Sequence, residues 1–202
     1  MIKLLMSSRT MLIALMAVSL SCNFITGAGG GKEPTAQPIF EVTDQPPAES
    51  DARVLRQWAD SAIASSEYGP ESWSAKQATG APNINECGDN SMAWASESST
   101  SVEEWIELTY AIPVVPTEIT IYQSFNPSQV VEVDVITTEG VSYPIWIGAP
   151  KLVDGCPYLL TLPVDLTEKI VVQKVRVYID QSMLDVSWNE IDAVELTGSP
   201  SR

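Results

Sequence analysis

From Glu104 onward the chain alternates apolar and polar residues one by one. In Glu104 to Tyr110, Ile106, Leu108 and Tyr110 share one side, and Trp105, Glu107 and Thr109 share the other. Glu118 to Tyr122 sets Ile119 and Ile121 against Glu118, Thr120 and Tyr122. Val131, Val133 and Val135 point inward, with Glu132 and Asp134 outward. After the turn at Glu139-Gly140, Val141, Tyr143, Ile145 and Ile147 align, so the two segments read as a hairpin. Tyr158 to Leu162 is a short strand, and Val171, Val175, Val177 and Ile179 oppose Lys174, Arg176 and Asp180. Asn189 to Thr197 departs from strict alternation. Ile191 and Val194 are three apart, and this predicts a bulge near Asp192-Ala193. Period-two patterning with one polar face requires antiparallel sheets packed face to face. The expected fold is all-β, an antiparallel jelly-roll β-sandwich of about eight strands over 53–199, with a tail at 200–202. Val54 to Ser65 fits a helical turn leading into a first strand at Ala62 to Ser65.

Ahead of these strands stands Trp73 to Ser96, a stretch without helical periodicity. Gly80-Ala81-Pro82-Asn83 and Cys87-Gly88-Asp89-Asn90 carry turn chemistry, and Trp73 and Trp94 bracket them. Such a loop needs fixing from outside. A bound cation, a disulfide and the Trp pair are the three means the sequence offers. Trp94, between Ala93 and Ala95, reads as core.

The run Ser72-Trp73-Ser74-Ala75-Lys76-Gln77-Ala78-Thr79-Gly80-Ala81-Pro82-Asn83, followed by Cys87-Gly88-Asp89 and Ala93-Trp94, resembles the galactose-binding-like, or discoidin-like (F5/8 type C-like), β-sandwich family. The resemblance continues through Glu104-Trp105-Ile106-Glu107-Leu108, Pro116-Thr117-Glu118-Ile119, Tyr122 with Asn126-Pro127, and Trp188 to Leu196. It implies a jelly roll that often holds a structural calcium and binds glycans or surfaces. Calcium takes six to eight oxygens. The loop supplies carbonyls, with Asn83, Asp89 and Asn90 as side-chain donors, and the resemblance places a Glu of the last strand opposite them. The expected ligand set is therefore Ala78, Asn83, Asp89 and Glu195, with Glu190 as the other choice for the strand. This chain has Thr79-Gly80 where the family commonly has Asp-Gly. The competing interpretation of Asn83 and Asp89 is that they only form Asx-turns.

The first 21 residues read as a secretory signal peptide. Lys3 and Arg9 precede Met11 to Leu20, an apolar run broken only by Ser19. As a helix it would rise about 15 Å, too short to span a bilayer. Val18-Ser19-Leu20-Ser21-Cys22 resembles a bacterial lipoprotein box, which makes Cys22 the expected lipidation site. Ser19 and Ser21 also satisfy ordinary signal peptidase, which would leave a secreted protein. Residues 22–52 form a linker with Gly27, Gly29, Gly30 and Gly31, then Pro34, Pro46 and Pro47. It lacks the apolar surface to offset its ordering entropy, and as a coil it would reach roughly 30 Å. The expected location is the bacterial cell envelope, lipid-anchored and outside the cytoplasm.

Three cysteines in an exported chain need accounting for. With Cys22 lipidated, Cys87 and Cys156 remain as one pair in an oxidising compartment. The alternative is two unrelated thiols. Both lie beside turn residues, which places them at strand ends.

The net charge is −15, and it becomes more negative once Lys3 and Arg9 leave with the signal peptide. Such acidity disfavours nucleic acid and anionic headgroups as partners. There is no histidine. That excludes Ser-His-Asp and Cys-His machinery and the usual catalytic zinc sites. Two carboxylates alone can run a glycosidase, with Glu103-Glu104 or Glu190 and Asp192 as nominal candidates. These read more simply as a solvated face.

Aromatic faces stack on sugar rings, so loop-borne aromatics are natural glycan contacts. Tyr68, Trp73, Phe125 and Trp188 are the candidates, each weighed against simple loop packing. The functional expectation is a non-catalytic extracellular binding module for a glycan or other surface polymer. The alternative is a structural or assembly domain that binds a surface protein.

Overall fold

The computed structural model describes residues 53–201. The expected signal peptide, Cys22 and the linker over 22–52 lie outside the described residues. The strands are β1 (Leu55–Trp58), β2 (Ser61–Ala64), β3 (Glu104–Phe125), β4 (Val130–Thr137), β5 (Ser142–Ile147), β6 (Tyr158–Pro163), β7 (Val172–Ile179) and β8 (Glu190–Pro200). Every named pairing is antiparallel.

Strand β3 creates the sandwich. The alternation predicts two strands here, separated by Pro113 and Pro116, yet the chain runs through both prolines as one 22-residue strand. Its first half pairs with β2 and β7, its second half with β8 and β6. Register shifts between Thr109 and Val114, and between Pro116 and Glu118, mark where it bends. A proline removes one ladder donor without ending a strand, and the mismatch appears as a bulge. β3 thus leaves a layer of β2, β3, β7, β4 and β5 and enters a layer of β1, β8, β3 and β6.

Between the layers lie Ile106, Leu108, Tyr110, Ile119, Ile121, Val133, Val135, Val175, Val177, Ile179, Val194 and Leu196, all buried. Burial of each large aliphatic side chain contributes roughly 1.5–3 kcal/mol. The Tyr110 hydroxyl donates to the Val194 carbonyl at 3.1 Å, across from one half of β3 to β8.

The structure departs from the pattern at several places. Leu55–Trp58 is a strand and not a helical turn, because β8 offers a free edge for its backbone groups. Val141, just ahead of β5, and Ile147 at its end are exposed, while Ile145 and Trp146 pack on the core. A register shift between Val133 and Asp134 moves the phase of the hairpin by one residue. Asp134 lies on the side of β4 opposite Val133 and Val135, as expected, yet it is buried and accepts the Ser142 hydroxyl at 2.6 Å. Glu107 is buried too, held by Lys174 at 2.8 Å and by Arg176 at 2.5 Å. Burial would raise its pKa, but those two cations hold its carboxyl below the ordinary range. Arg176 also lies 4.6 Å over the Trp105 ring.

The predicted bulge in the last strand is present. Tyr122 pairs with Ala193 and Gln123 with Ile191, so Asp192 has no partner across the ladder.

Candidate functional site

Between β2 and β3 the chain makes a long excursion, residues 65–103, over the end of the sandwich where β8 begins. It is short of apolar residues, and carboxylates of β8 organise it. The bulge leaves Asp192 buried, where its carboxylate accepts the backbone N–H groups of Asn83 (3.1 and 3.3 Å) and Ile84 (3.1 Å). Two residues earlier, buried Glu190 accepts the Asn90 N–H at 2.9 Å. Trp94 and Ile191 exchange both backbone hydrogen bonds, at 2.9 and 3.0 Å. Glu67 receives the Ala75 N–H at 2.9 Å, at the start of a single 3-10 turn, Ala75–Ala78. That turn interrupts a stretch expected to be irregular throughout. Cys87 and Cys156 form a disulfide that ties the excursion to the connection between β5 and β6.

Removing the Asp192 acceptor strands two N–H groups beside the core. Asp192→Ala is expected to cost about 1–3 kcal/mol, read as a lower urea midpoint. An unchanged midpoint would mean that these groups find other partners.

Within this frame lies a cleft of about 70 Å³ lined by Tyr68, Trp73, Asp89, Ala95, Trp188 and Glu190. Tyr68 stands edge-on to both tryptophans, with centroids 5.2 Å from Trp73 and 5.3 Å from Trp188. Trp73 has φ of 54°, a left-handed conformation that is costly for a bulky residue. Backbone bonds hold it there: its N–H donates to Ser91 O (3.0 Å), and its carbonyl accepts from Ala95 N (3.1 Å). Its indole N–H is shared between Asp89 (3.0 Å) and Glu190 (3.2 Å). The Trp188 indole N–H donates to Ser96 O at 2.9 Å. Behind Trp188, buried Gln181 ties Ser96, Ser98 and the Asn189 N–H together at 2.6–2.8 Å.

The two acids differ in setting. Asp89 is exposed, while Glu190 is about 1% exposed. Burial raises the Glu190 pKa to about 7. The hydrogen-bonding side chain and charge of Asp89 add to the rise, and the Asn90 and Trp73 N–H groups oppose it. Burial likewise raises the Asp192 pKa against the two N–H groups it accepts.

Tyr68, Trp73 and Trp188, three of the four aromatic candidates, line one cleft. Phe125 does not line it. It ends β3, where its carbonyl accepts the Asn189 side-chain N–H at 3.2 Å. Larger grooves exist, one of about 400 Å³ beside the disulfide, but their linings hold no carboxylate.

The expected calcium ligands fare differently. Glu195 is bound through both oxygens to Arg56 of β1, each at 2.7 Å, so it is committed away from the loop. Asp89 faces Trp73 and Glu190. Ala78 is buried in the 3-10 turn, and Asn83 presents its backbone N–H to Asp192. Among the described residues no three acidic or thiol side chains form a cluster suited to a metal ion. Of the set Ala78, Asn83, Asp89 and Glu195, Glu195 is the member whose carboxylate is taken up elsewhere, by Arg56. This placement has a physical cause: the bulge brings Asp192 in to meet the loop, and pairing with β1 gives Glu195 to Arg56. Asp192 was legible only as the bulge residue, because alternation does not show which way a bulged side chain turns.

Residues 48–202 match the family described as pappalysin-1, SD scarf domain, C-terminal. No curated protein matches the chain. Among solved structures, the family 32 carbohydrate-binding module of C. perfringens NanJ, in complex with galactose, is similar at a TM-score of 0.51 and 14% identity. That match covers 71% of this chain and 99% of that one. Chitosan-binding module 1 of a chitosanase/glucanase from Paenibacillus sp. IK-5 is similar at 0.50 and 15%, over 68% and 94%. Reduced XRCC1 bound to the DNA pol beta catalytic domain is similar at 0.53 and 12%, over 73% and 99%. These likenesses show the fold, a galactose-binding-like, discoidin-like β-sandwich.

Proposed function

Since this chain belongs to the pappalysin-1 SD scarf domain C-terminal family and has a galactose-binding-like fold, we propose that its sandwich is a non-catalytic glycan-binding module, held at the outer face of a bacterial membrane by lipid on Cys22. The observation that carries this reading is the cleft of Tyr68, Trp73 and Trp188 with Asp89 and Glu190 at the loop end of the sandwich. It joins apolar rings, which stack on sugar faces, to carboxylates, which accept from sugar hydroxyls. Two of the fold neighbours, the galactose-bound module and the chitosan-binding module, add support. A non-catalytic role is supported by those two neighbours, both of them binding modules. Asp89 and Glu190 accept the same Trp73 indole N–H, at 3.0 and 3.2 Å.

A glycan array with the intact domain is expected to give discrete positives. Trp73→Ala and Trp188→Ala should each lower binding about five- to thirtyfold, the scale of a lost stacking contact of about 1–2 kcal/mol. A flat array from a folded domain would favour the second reading, an assembly domain for another protein. That reading draws on a fold neighbour, XRCC1, solved in complex with a polymerase domain.

The tether has its own test. Mass spectrometry of the membrane fraction should find Cys22 at the mature N-terminus carrying lipid. An unmodified Cys22, or recovery only from the medium, removes the anchor from this proposal.

A further inference from the structure

Three buried carboxylates elsewhere in this domain have their charge answered from within, while Asp134, which does not line the cleft, has the Ser142 hydroxyl. Glu107 has Lys174 and Arg176. Glu195 has both oxygens on Arg56. Asp192 has the two N–H groups of Asn83 and Ile84 to itself. Glu190, at the cleft, differs from those three. It is as buried as these, yet it has one backbone N–H and an indole N–H that it shares with a second carboxylate, Asp89. Among the described residues no lysine or arginine lines the cleft, and three aromatic rings do. A buried charge beside a like charge is costly unless a cation answers it.

We propose that this cleft takes an organic ammonium group, and that the glycan it binds therefore carries free amines; the second part rests on the function proposed above. Aromatic rings attract a cation to their faces, more strongly when it is desolvated, and walls of this kind recognise alkylammonium groups. The acids supply the counter-charge. At about 70 Å³ the cleft is far below the roughly 300–1,000 Å³ that encloses a whole small molecule, so it suits one head group, with the sugar ring outside against half-exposed Tyr68. The raised pKa of Glu190 agrees with a pair that lacks its cation. An ordinary hydroxyl would leave that charge unanswered.

The test compares three oligomers of equal length, namely glucosamine, N-acetylglucosamine and glucose, with trimethylated glucosamine oligomer as a probe whose charge is independent of pH. Binding is read by calorimetry and by the NMR shift of the Trp73 indole N–H, which touches both acids. The amine-bearing oligomers are expected to bind at least tenfold more tightly than the acetylated one and to move the Trp73 signal. Glu190→Gln, or Asp89→Asn at an exposed position that should not disturb folding, brings that ratio close to one.

Equal binding of acetylated and amine-bearing oligomers, or tighter binding of a neutral one, overturns the ammonium site and leaves the glycan module standing. A lysine-rich peptide that moves the Trp73 signal where the amino-sugar oligomer does not overturns the carbohydrate assignment. A folded domain that binds none of these, and nothing on a glycan array, overturns both.

Discussion

Breaking the Cys87–Cys156 bridge is expected to lower stability by about 4 kcal/mol, on the chain-entropy estimate for a loop of this size. The cysteines are 69 residues apart, and the closed loop contains β3, β4 and β5. Without the bridge the unfolded chain regains that freedom. The native state meanwhile keeps its other ties near Cys87, such as the Gly88 N–H to Ser124 O bond of 3.2 Å and the Asn90 N–H to Glu190 bond of 2.9 Å. Urea midpoints of the oxidised domain and of Cys87→Ser should differ accordingly. Cys156→Ser and the double variant should match the single one, since each removes the same link. The effect should reach the cleft before the whole domain unfolds, because Asp89 and Asn90 follow directly on Cys87 and Gly88. Coincident midpoints with and without reductant, in a protein shown to be oxidised at the outset, would refute this.

The second large effect concerns pH. Glu190 has a folded pKa of about 7, raised from 4.5 chiefly by burial. The folded state therefore holds this proton more tightly than the unfolded chain does. Between those two values the native form binds more protons, so stability falls as pH rises. The penalty is absent well below the unfolded value and complete above about 7. A shift of this size corresponds to something on the order of 3 kcal/mol.

Glu190→Gln removes the charge and keeps one oxygen for the Asn90 N–H, while its NH2 takes the place of the oxygen that faced the Trp73 indole, where Asp89 remains as acceptor. It should raise stability in mildly alkaline buffer by up to that amount and flatten the profile between mildly acid and alkaline conditions. Asp192, raised by burial, leaves a residual slope of the same sign. Glu107 acts oppositely, because its lowered pKa contributes stability that is lost only as pH falls through the acid range. Urea unfolding at several pH values, wild type beside variant, decides the matter. Parallel profiles would mean that Glu190 titrates normally.

How far the site was legible varied by residue. Tyr68, Trp73 and Trp188 stood out because large aromatics in polar, turn-rich segments have few local partners. Their convergence on one cleft depends on β8 bringing Trp188 beside the excursion between β2 and β3. Phe125 looked equivalent in sequence but ends a strand. Glu190 was visible as a carboxylate, but its isolation from any cation was not. That depends on which buried acids receive Lys174, Arg176 and Arg56, and each of those pairings crosses from one strand to another.

Sequence alone determined the fold class, the sandwich core, the bulge at Asp192 and the pairing of Cys87 with Cys156 once Cys22 is set aside. These depend on period-two alternation, on a break in it, and on a count of three. The continuity of β3 through two prolines, the strand at Leu55–Trp58, the burial of Asp134 and the commitment of Glu195 to Arg56 were decided only by tertiary structure. In each case the deciding group lies on another strand: a free sheet edge, a facing hydroxyl or a cation on a neighbouring strand. Local alternation shows which side a residue faces, and it is the packed sheets that supply the partner it meets there.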